Sequence, residues 1–220
     1  MKKAVVLLSG GLDSSTVLYW SRSKGYQCSC LLFDYGQRHK KELKSAALIA
    51  GHAKCAYKTV KIDLPWATGS LTDKTQKIPH NDITLSSSLS AKASDELPST
   101  YVPGRNTLFI SYAVSYAESI NARTIFIGAN AVDFSGYPDC RPRYYMAFDR
   151  LLKTLPGKIQ IKAPLLKLSK EGIVRLAARL KVPLKYTWSC YGGGDDPCGV
   201  CDSCLFRAKG FAQAGIEDPA

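Results

Sequence analysis

Two groups of residues in this chain have types and spacings that could do chemistry, one near each end. Near the N-terminus, Ser9-Gly10-Gly11-Leu12-Asp13-Ser14 follows the apolar run Ala4-Val5-Val6-Leu7-Leu8. Glycine and serine free the backbone to curl there, and a helix starting after the turn aims its N-terminal amides and positive dipole back at the strand. That arrangement takes a phosphate. Ser9, Ser14 and Ser15 add hydroxyl donors, and no lysine follows the glycines, which separates the loop from the Walker type. Asp13 could hold Mg²⁺ against phosphates or cap the helix, and residue type leaves both roles open. Near the other end, Cys190 and Cys198-Gly-Val-Cys201-Asp-Ser-Cys204 supply four thiolates at spacings able to close a tetrahedral Zn²⁺ site, with a [4Fe–4S] cluster as competitor. Four thiolates leave no open coordination position, so the expected role is structural. Metal loss is then expected to loosen the C-terminal segment before it alters chemistry.

Further positions follow from their placement. Asp34 and Tyr35 stand at the end of an expected parallel strand, where open α/β sheets take their ligands, so adenine or ribose contacts compete with plain loop chemistry. Arg105 and Asn106 follow a Pro-Gly turn and precede a helix, a donor-rich place for a phosphate or carboxylate, or else a solvated turn. The stretch from Asn130 to Arg141 mixes aromatic rings, carboxylates and arginine around a glycine, which suits a flat, hydrogen-bonding heterocycle better than a sugar or lipid. Cys28, Cys30 and Cys55 read as small buried apolar residues, the first two on one strand face.

The elements that must position these groups alternate. Buried-strand patterns at 4–8, 28–33 and 56–62 are interleaved with helices from residue 14 and over 41–50, which argues for a parallel sheet with helices on both faces. From 63 to 104 the pattern dissolves into Ser, Thr, Lys and Pro, too long for an ordinary connection; a lid or partly mobile segment is expected, one that cannot carry the core. Regularity returns with a helix over 108–120, a strand over 124–127 and a helix from 144. Ile173, Leu176, Ala177 and Leu180 repeat at helical spacing, so 170–180 is expected as the last large helix, capped by Ser169.

The chain has 220 residues, 45% hydrophobic and 10% aromatic, enough for one sizeable core and no reason to invoke disorder. The expected division is an α/β domain over 1–188, with 63–104 as its lid, and a small metal-binding segment over 189–220. Its net charge of +12 comes from scattered basic residues and implies attraction for polyanions, nothing about fold. The apolar run after Lys3 stops at Ser9, too short for a signal core, and no stretch offers about 18 uninterrupted apolar residues. The expectation is a cytoplasmic protein with no membrane partner.

Ser-Gly-Gly-Leu-Asp-Ser after an N-terminal strand resembles the signature of the PP-loop ATP pyrophosphatases, the adenine nucleotide α-hydrolase type of Rossmann-like fold. Phe33-Asp34-Tyr35-Gly36-Gln37-Arg38-His39, Val102-Pro103-Gly104-Arg105-Asn106-Thr107 and the stretch from Gly128 to Pro142 narrow the resemblance to the 7-cyano-7-deazaguanine synthases of queuosine precursor biosynthesis. The similarity runs from Val5 to about Pro219, with five separated motifs in family order.

This resemblance implies a chain that joins 7-carboxy-7-deazaguanine and ammonia to give the nitrile, with ATP split into AMP and pyrophosphate, working as a homodimer without obligate nucleic acid. It implies ATP contacts from Leu8, Ser9, Gly10, Gly11, Leu12, Asp13, Ser14, Ser15, Asp34 and Tyr35, and catalytic roles for Asp13, Arg105 and Lys170. It places the deazaguanine among Asn130, Asp133, Phe134, Tyr137, Asp139 and Arg141, with Asp133 or Asp139 accepting from the ring's N–H edge and Phe134 or Tyr137 covering a face. It also favours Zn²⁺ at the cysteines. Arg143 and the Glu171-Gly172 pair depart from the family pattern. With no room for a glutaminase domain in 220 residues, ammonia must come free or from a partner. Two alternatives use the same residues differently: a PP-loop tRNA sulfurtransferase, with Cys140 as the thiol in a plausible reactive loop, or a basic zinc module that binds nucleic acid.

Overall fold

A computed structural model of the chain describes residues 1–73, 75–79, 97–130 and 137–219. Five strands form one sheet: β1 (Lys2–Leu7), β2 (Tyr26–Asp34), β3 (Ala56–Lys61), β4 (Thr124–Phe126) and β5 (Gln160–Lys162), in the order β3-β2-β1-β4-β5 with every pairing parallel. Six α-helices accompany them among the described residues: α1 (Leu12–Ser23), α2 (Lys41–His52), α3 (Arg105–Ser119), α4 (Pro142–Leu152), α5 (Lys170–Arg179) and α6 (Asp202–Ala214).

The central strand explains the layers. Ala4, Val6 and Leu8 face one way with Cys28, Cys30 and Leu32 of β2, while Val5 faces the other with Leu31 and Phe33, the two-residue period of a strand buried on both sides. The first face is covered by Val17 and Leu18 of α1, Ile49 of α2, Ile173 and Ala177 of α5, and Phe211 of α6. Phe126 meets the edges of Trp20 and Tyr26 on this side, with ring centroids 5.9 and 5.0 Å away. Truncating such a ring to alanine costs about 3–5 kcal/mol. The second face is covered by Ile110, Ala113 and Ala117 of α3 and Leu152 of α4.

The chain lays down β1, β2 and β3 outward in one direction, then crosses to place β4 on the other flank of β1. The carboxyl ends of β1 and β4 therefore border the point where the order reverses, where sheets of this kind leave a crevice.

Most expected elements are present, with ends shifted by a few residues. Ser169 caps α5 as expected, its side chain accepting from the Gly172 amide. Two expectations fail. Helix α5 is not the last large helix, because α6 follows it. Buried Arg207 on α6 interrupts the apolar spacing that would have announced the helix. The three-residue β5 is too short for a periodic signal. The described ends of 63–104 do contribute to the core: Leu64, Leu71 and Val102 are buried on the second face, and Ser70 N–H bonds Ser99 O at 2.8 Å. Three isolated apolar residues in a polar stretch carry no period. Cys55 is half-buried, unlike Cys28 and Cys30.

Candidate functional site

The loop between β1 and α1 is built to stay open. Gly10 takes φ +85°, in the left-handed region, and a Cβ there would stand 2.5 Å from both Glu42 O and Ala46 N of α2. Gly128, just after β4, sits so close to α1 that a Cβ would fall 2.8 Å from Ser14 N. Ser9 Oγ and Ser14 Oγ lie 3.0 Å apart, and Ser14 Oγ also accepts from Ser9 N at 3.2 Å. Gly11, the residue at the cap position of α1, supplies no side-chain oxygen, so no capping group covers the first amides of that helix.

Asp13 does not cap the helix. Its carboxylate receives Lys170 Nζ at 3.0 and 2.9 Å, joining the first turns of α1 and α5. A lysine in a helix's first turn opposes the dipole, and Asp13 relieves that conflict. Gly210 of α6 makes room for this lysine: a Cβ there would stand 2.4 Å from Lys170 Cγ.

A cleft of about 330 Å³ opens over these groups. Leu8, Ser9, Gly11, Leu12, Asp13, Ser14, Tyr35, Arg105, Lys170, Asn130 and Tyr137 all line it. Arg105, in the first turn of α3, donates to Tyr35 OH at 3.1 Å and lies over the same ring. Tyr35 is presented by a turn that Gln37 fixes, accepting from Tyr35 N and donating to Phe33 O, each at 2.9 Å. Phe33 and Phe109 stack at 4.1 Å between centroids and make an aromatic flank. Tyr137 is bonded to Thr100 by its hydroxyl.

Other expected residues fall outside this lining. Gly10 shapes the loop from behind. Ser15 is buried, with its hydroxyl unpartnered. Asp34 turns back to accept from Gly36 N at 3.3 Å, so its carboxylate closes a local turn instead of reaching the cleft. Arg141 forms the N-cap position of α4, and Arg143 is exposed. Asp139 is buried, 6% exposed, with one carboxylate oxygen, Oδ1, unpartnered. Burial pushes its pKa up against the opposing pull of Arg105. Asp133 and Phe134 lie outside the described residues.

Spacing did not single out several lining residues. His39, Glu42, Phe109, Ser189, Tyr191 and Arg207 belong to the same cleft, together with Asn106, which its place after the Pro-Gly turn already marks. His39 stands inside a motif quoted above, but nothing in its spacing distinguishes a cleft residue from a loop residue.

The four cysteine Sγ atoms converge within 4.8 Å of one another. Gly192 N and Cys198 N donate to Cys190 Sγ at 3.2 and 3.3 Å, and Cys201 N to Cys198 Sγ at 3.4 Å, bonds that favour thiolates. This donor set fits a metal ion. The segment carrying it is part of the cleft wall: Trp188 N bonds Gly10 O at 2.9 Å, and Trp188, Ser189 and Tyr191 face the same space as the glycine loop. Arg207 clamps it further, taking Asp218 at 2.7 and 2.8 Å and Thr187 Oγ1 at 2.8 Å. The segment that metal loss is expected to loosen therefore touches the glycine loop itself. No helix among the described residues is long and apolar enough to cross a membrane.

Residues 3–215 match the family model described as "Queuosine biosynthesis protein QueC". The chain is 49% identical over 224 residues to a 7-cyano-7-deazaguanine synthase of Thermoplasma volcanium, a match covering 99% of this chain and 90% of that one. It is 48% identical over 225 residues to the synthase of the same name from Nostoc sp., with 99% and 96% covered. Among solved structures, NMN synthetase from Francisella tularensis shares the fold, with a TM-score of 0.53 at 15% identity over 98% of this chain and 78% of that chain.

Proposed function

Because the chain belongs to the QueC family of queuosine biosynthesis proteins, we propose that it converts 7-carboxy-7-deazaguanine and ammonia to 7-cyano-7-deazaguanine with ATP as the activating substrate. The observation that carries this reading is the uncapped N-terminus of α1, opening at the crevice between β1 and β4.

A carboxylate repels nucleophiles and holds its oxygen poorly disposed to leave, and adenylation changes both. The triphosphate, arriving with its Mg²⁺, is held by the amides of Leu12, Asp13 and Ser14 and by the hydroxyls of Ser9 and Ser14. Backbone donors of this kind act most strongly on departing pyrophosphate because they need no reorganisation. Lys170, steered by Asp13, and Arg105, steered by Tyr35, bring positive charge to the phosphates and the acid. The acid attacks the α-phosphorus, pyrophosphate leaves, and ammonia displaces AMP to give the amide. A second adenylation, on the amide oxygen, permits loss of AMP to the nitrile. Asn130 and Tyr137 of the cleft lining are offered to the deazaguanine, with the unpartnered oxygen of Asp139 buried behind them as a further acceptor.

The cysteines are assigned Zn²⁺, which supplies a rigid four-thiolate crosslink and no chemistry of its own. Sulfurs converging on one point within 4.8 Å suit a single ion better than a cluster whose ligands spread over separate irons. The sulfur-transfer alternative is weakened by Cys140, whose thiol burial pushes up to about 11, against the low values of reactive cysteines. Incubation with the acid, ATP, Mg²⁺ and ammonium is expected to release pyrophosphate and AMP in step with a nitrile identified by mass spectrometry. ADP as the sole nucleotide product overturns the assignment.

A further inference from the structure

Among the described residues lining the cleft, His39 and Glu42 form an acid–base pair to which no role has been given. His39, between β2 and α2, is 4% exposed and lines the same space as the glycine loop. Its Nε2 lies 2.8 Å from Glu42 Oε2, and its Nδ1 is buried with no hydrogen-bond partner. The site is fixed from several sides. The main chain of Glu42 presses on Gly10, where a Cβ would come within 2.5 Å of it. Gly193 of the cysteine segment closes on Arg38 O, with room for a Cβ no nearer than 2.9 Å, and the Tyr191 ring lies 5.9 Å from the imidazole.

An unpartnered buried nitrogen costs folding free energy, which calls for an explanation in function. The ammonia step needs a proton acceptor. When ammonia attacks the acyl-adenylate a C–N bond forms, the C–O bond to AMP breaks with its electron pair, and one N–H proton must leave to give a neutral amide. Among the described groups lining the cleft, Asp13 is committed to Lys170, Glu42 to His39 Nε2, and the arginines only donate. Phenols hold their protons to about pH 10, and burial raises Tyr35, Tyr137 and Tyr145 further. The Cys140 thiol stays protonated for the same reason. With Nε2–H given to Glu42, Nδ1 carries the lone pair, and the carboxylate stabilises the imidazolium that results.

Resting on the adenylation reading above, we propose that His39, oriented by Glu42, accepts at Nδ1 the proton that ammonia loses as it displaces AMP. The charged and titratable groups around it are Glu42 of α2 and Tyr191 of the cysteine segment. Arg38 is directed to Ser70 O and Gln76 O, and Lys41 to the Trp188 ring.

Acid-dependent exchange of pyrophosphate into ATP reads adenylation alone, and amide plus nitrile formation reads the ammonia step. His39→Gln keeps a donor for Glu42 and removes Nδ1. It is expected to slow exchange by less than about threefold and product formation by about 10²–10⁴-fold. Glu42→Gln keeps the hydrogen bond and removes the charge, so the acid limb of the wild-type pH–rate profile for product is expected to move to lower pH. Equal loss of exchange and product in His39→Gln, or an unmoved limb in Glu42→Gln, overturns the role. Wild-type protein with no acid-dependent exchange instead overturns adenylation, and this inference with it.

Discussion

Changing Gly210 to alanine tests how the helices hold Lys170. Glycine inside a helix costs about 0.5–1 kcal/mol relative to alanine, so on propensity alone the substitution stabilises α6. The structure reverses that sign. The new Cβ would stand 2.4 Å from Lys170 Cγ, 3.0 Å from its Cβ and 3.3 Å from its backbone carbonyl carbon. These atoms belong to the root of the side chain, so no swing of the ammonium relieves the overlap. Either α6 retreats from α5 or Lys170 leaves Asp13. Overpacking of this kind costs about 1–3 kcal/mol, leaving a net destabilisation of up to about 2 kcal/mol. For a chain of this length that lowers Tm by up to about 8 °C. Gly51 supplies the control: it is also helical, yet a Cβ there meets nothing within 4 Å. Gly51→Ala is expected to raise Tm by about 1–4 °C. Thermal unfolding of both variants gives the signs, and pyrophosphate exchange gives the function, expected to fall about 10–100-fold for Gly210→Ala alone. A Gly210→Ala protein that is stabilised like Gly51→Ala and exchanges at the wild-type rate refutes the reasoning.

Three other outcomes follow from the same geometry. Chelation of the cysteine-bound metal is expected to abolish ATP-dependent activity together with the structure of 188–207, since that segment lines the cleft, and added Zn²⁺ should restore both. Full activity at a metal content below about 0.1 per chain contradicts the assignment. Cys140→Ala is expected to keep nitrile formation within about threefold, because a thiol that stays protonated is not acting as a nucleophile. Loss of activity there favours sulfur transfer. Asp139→Asn is expected to weaken the acid substrate by about 10-fold while leaving the KM for ATP unchanged, since it alters an unpartnered acceptor that is no part of the glycine loop. Unchanged acid affinity in steady-state kinetics removes Asp139 from the recognition of the ring.

The phosphate end of the site was more legible than the rest. A local sequence dictates it: a strand, a turn that only glycine tolerates and a helix start lie within residues 2–14, so their geometry follows from short-range sterics. The cysteines were legible for the same reason, being close in sequence and few in their uses. Lys170 was singled out by resemblance, while its partner Asp13 was weighed for other roles, because 157 residues separate them and no pattern links α5 to α1. Asp34 shows the reverse: its position at the end of a strand pointed to a ligand, while the contact in the structure is a local turn at one of its oxygens.

What the sequence alone determined is the layered parallel sheet and the loop at its centre, since burial on two faces imposes a period that can be read residue by residue. The tertiary structure decided which distant residues share the cleft. The C-terminal segment became a wall beside Gly10, and Lys170, in the space that Gly210 leaves, came to meet Asp13. These depend on how helices from opposite ends of the chain pack on one sheet face, and contacts of that kind leave no periodic trace in sequence.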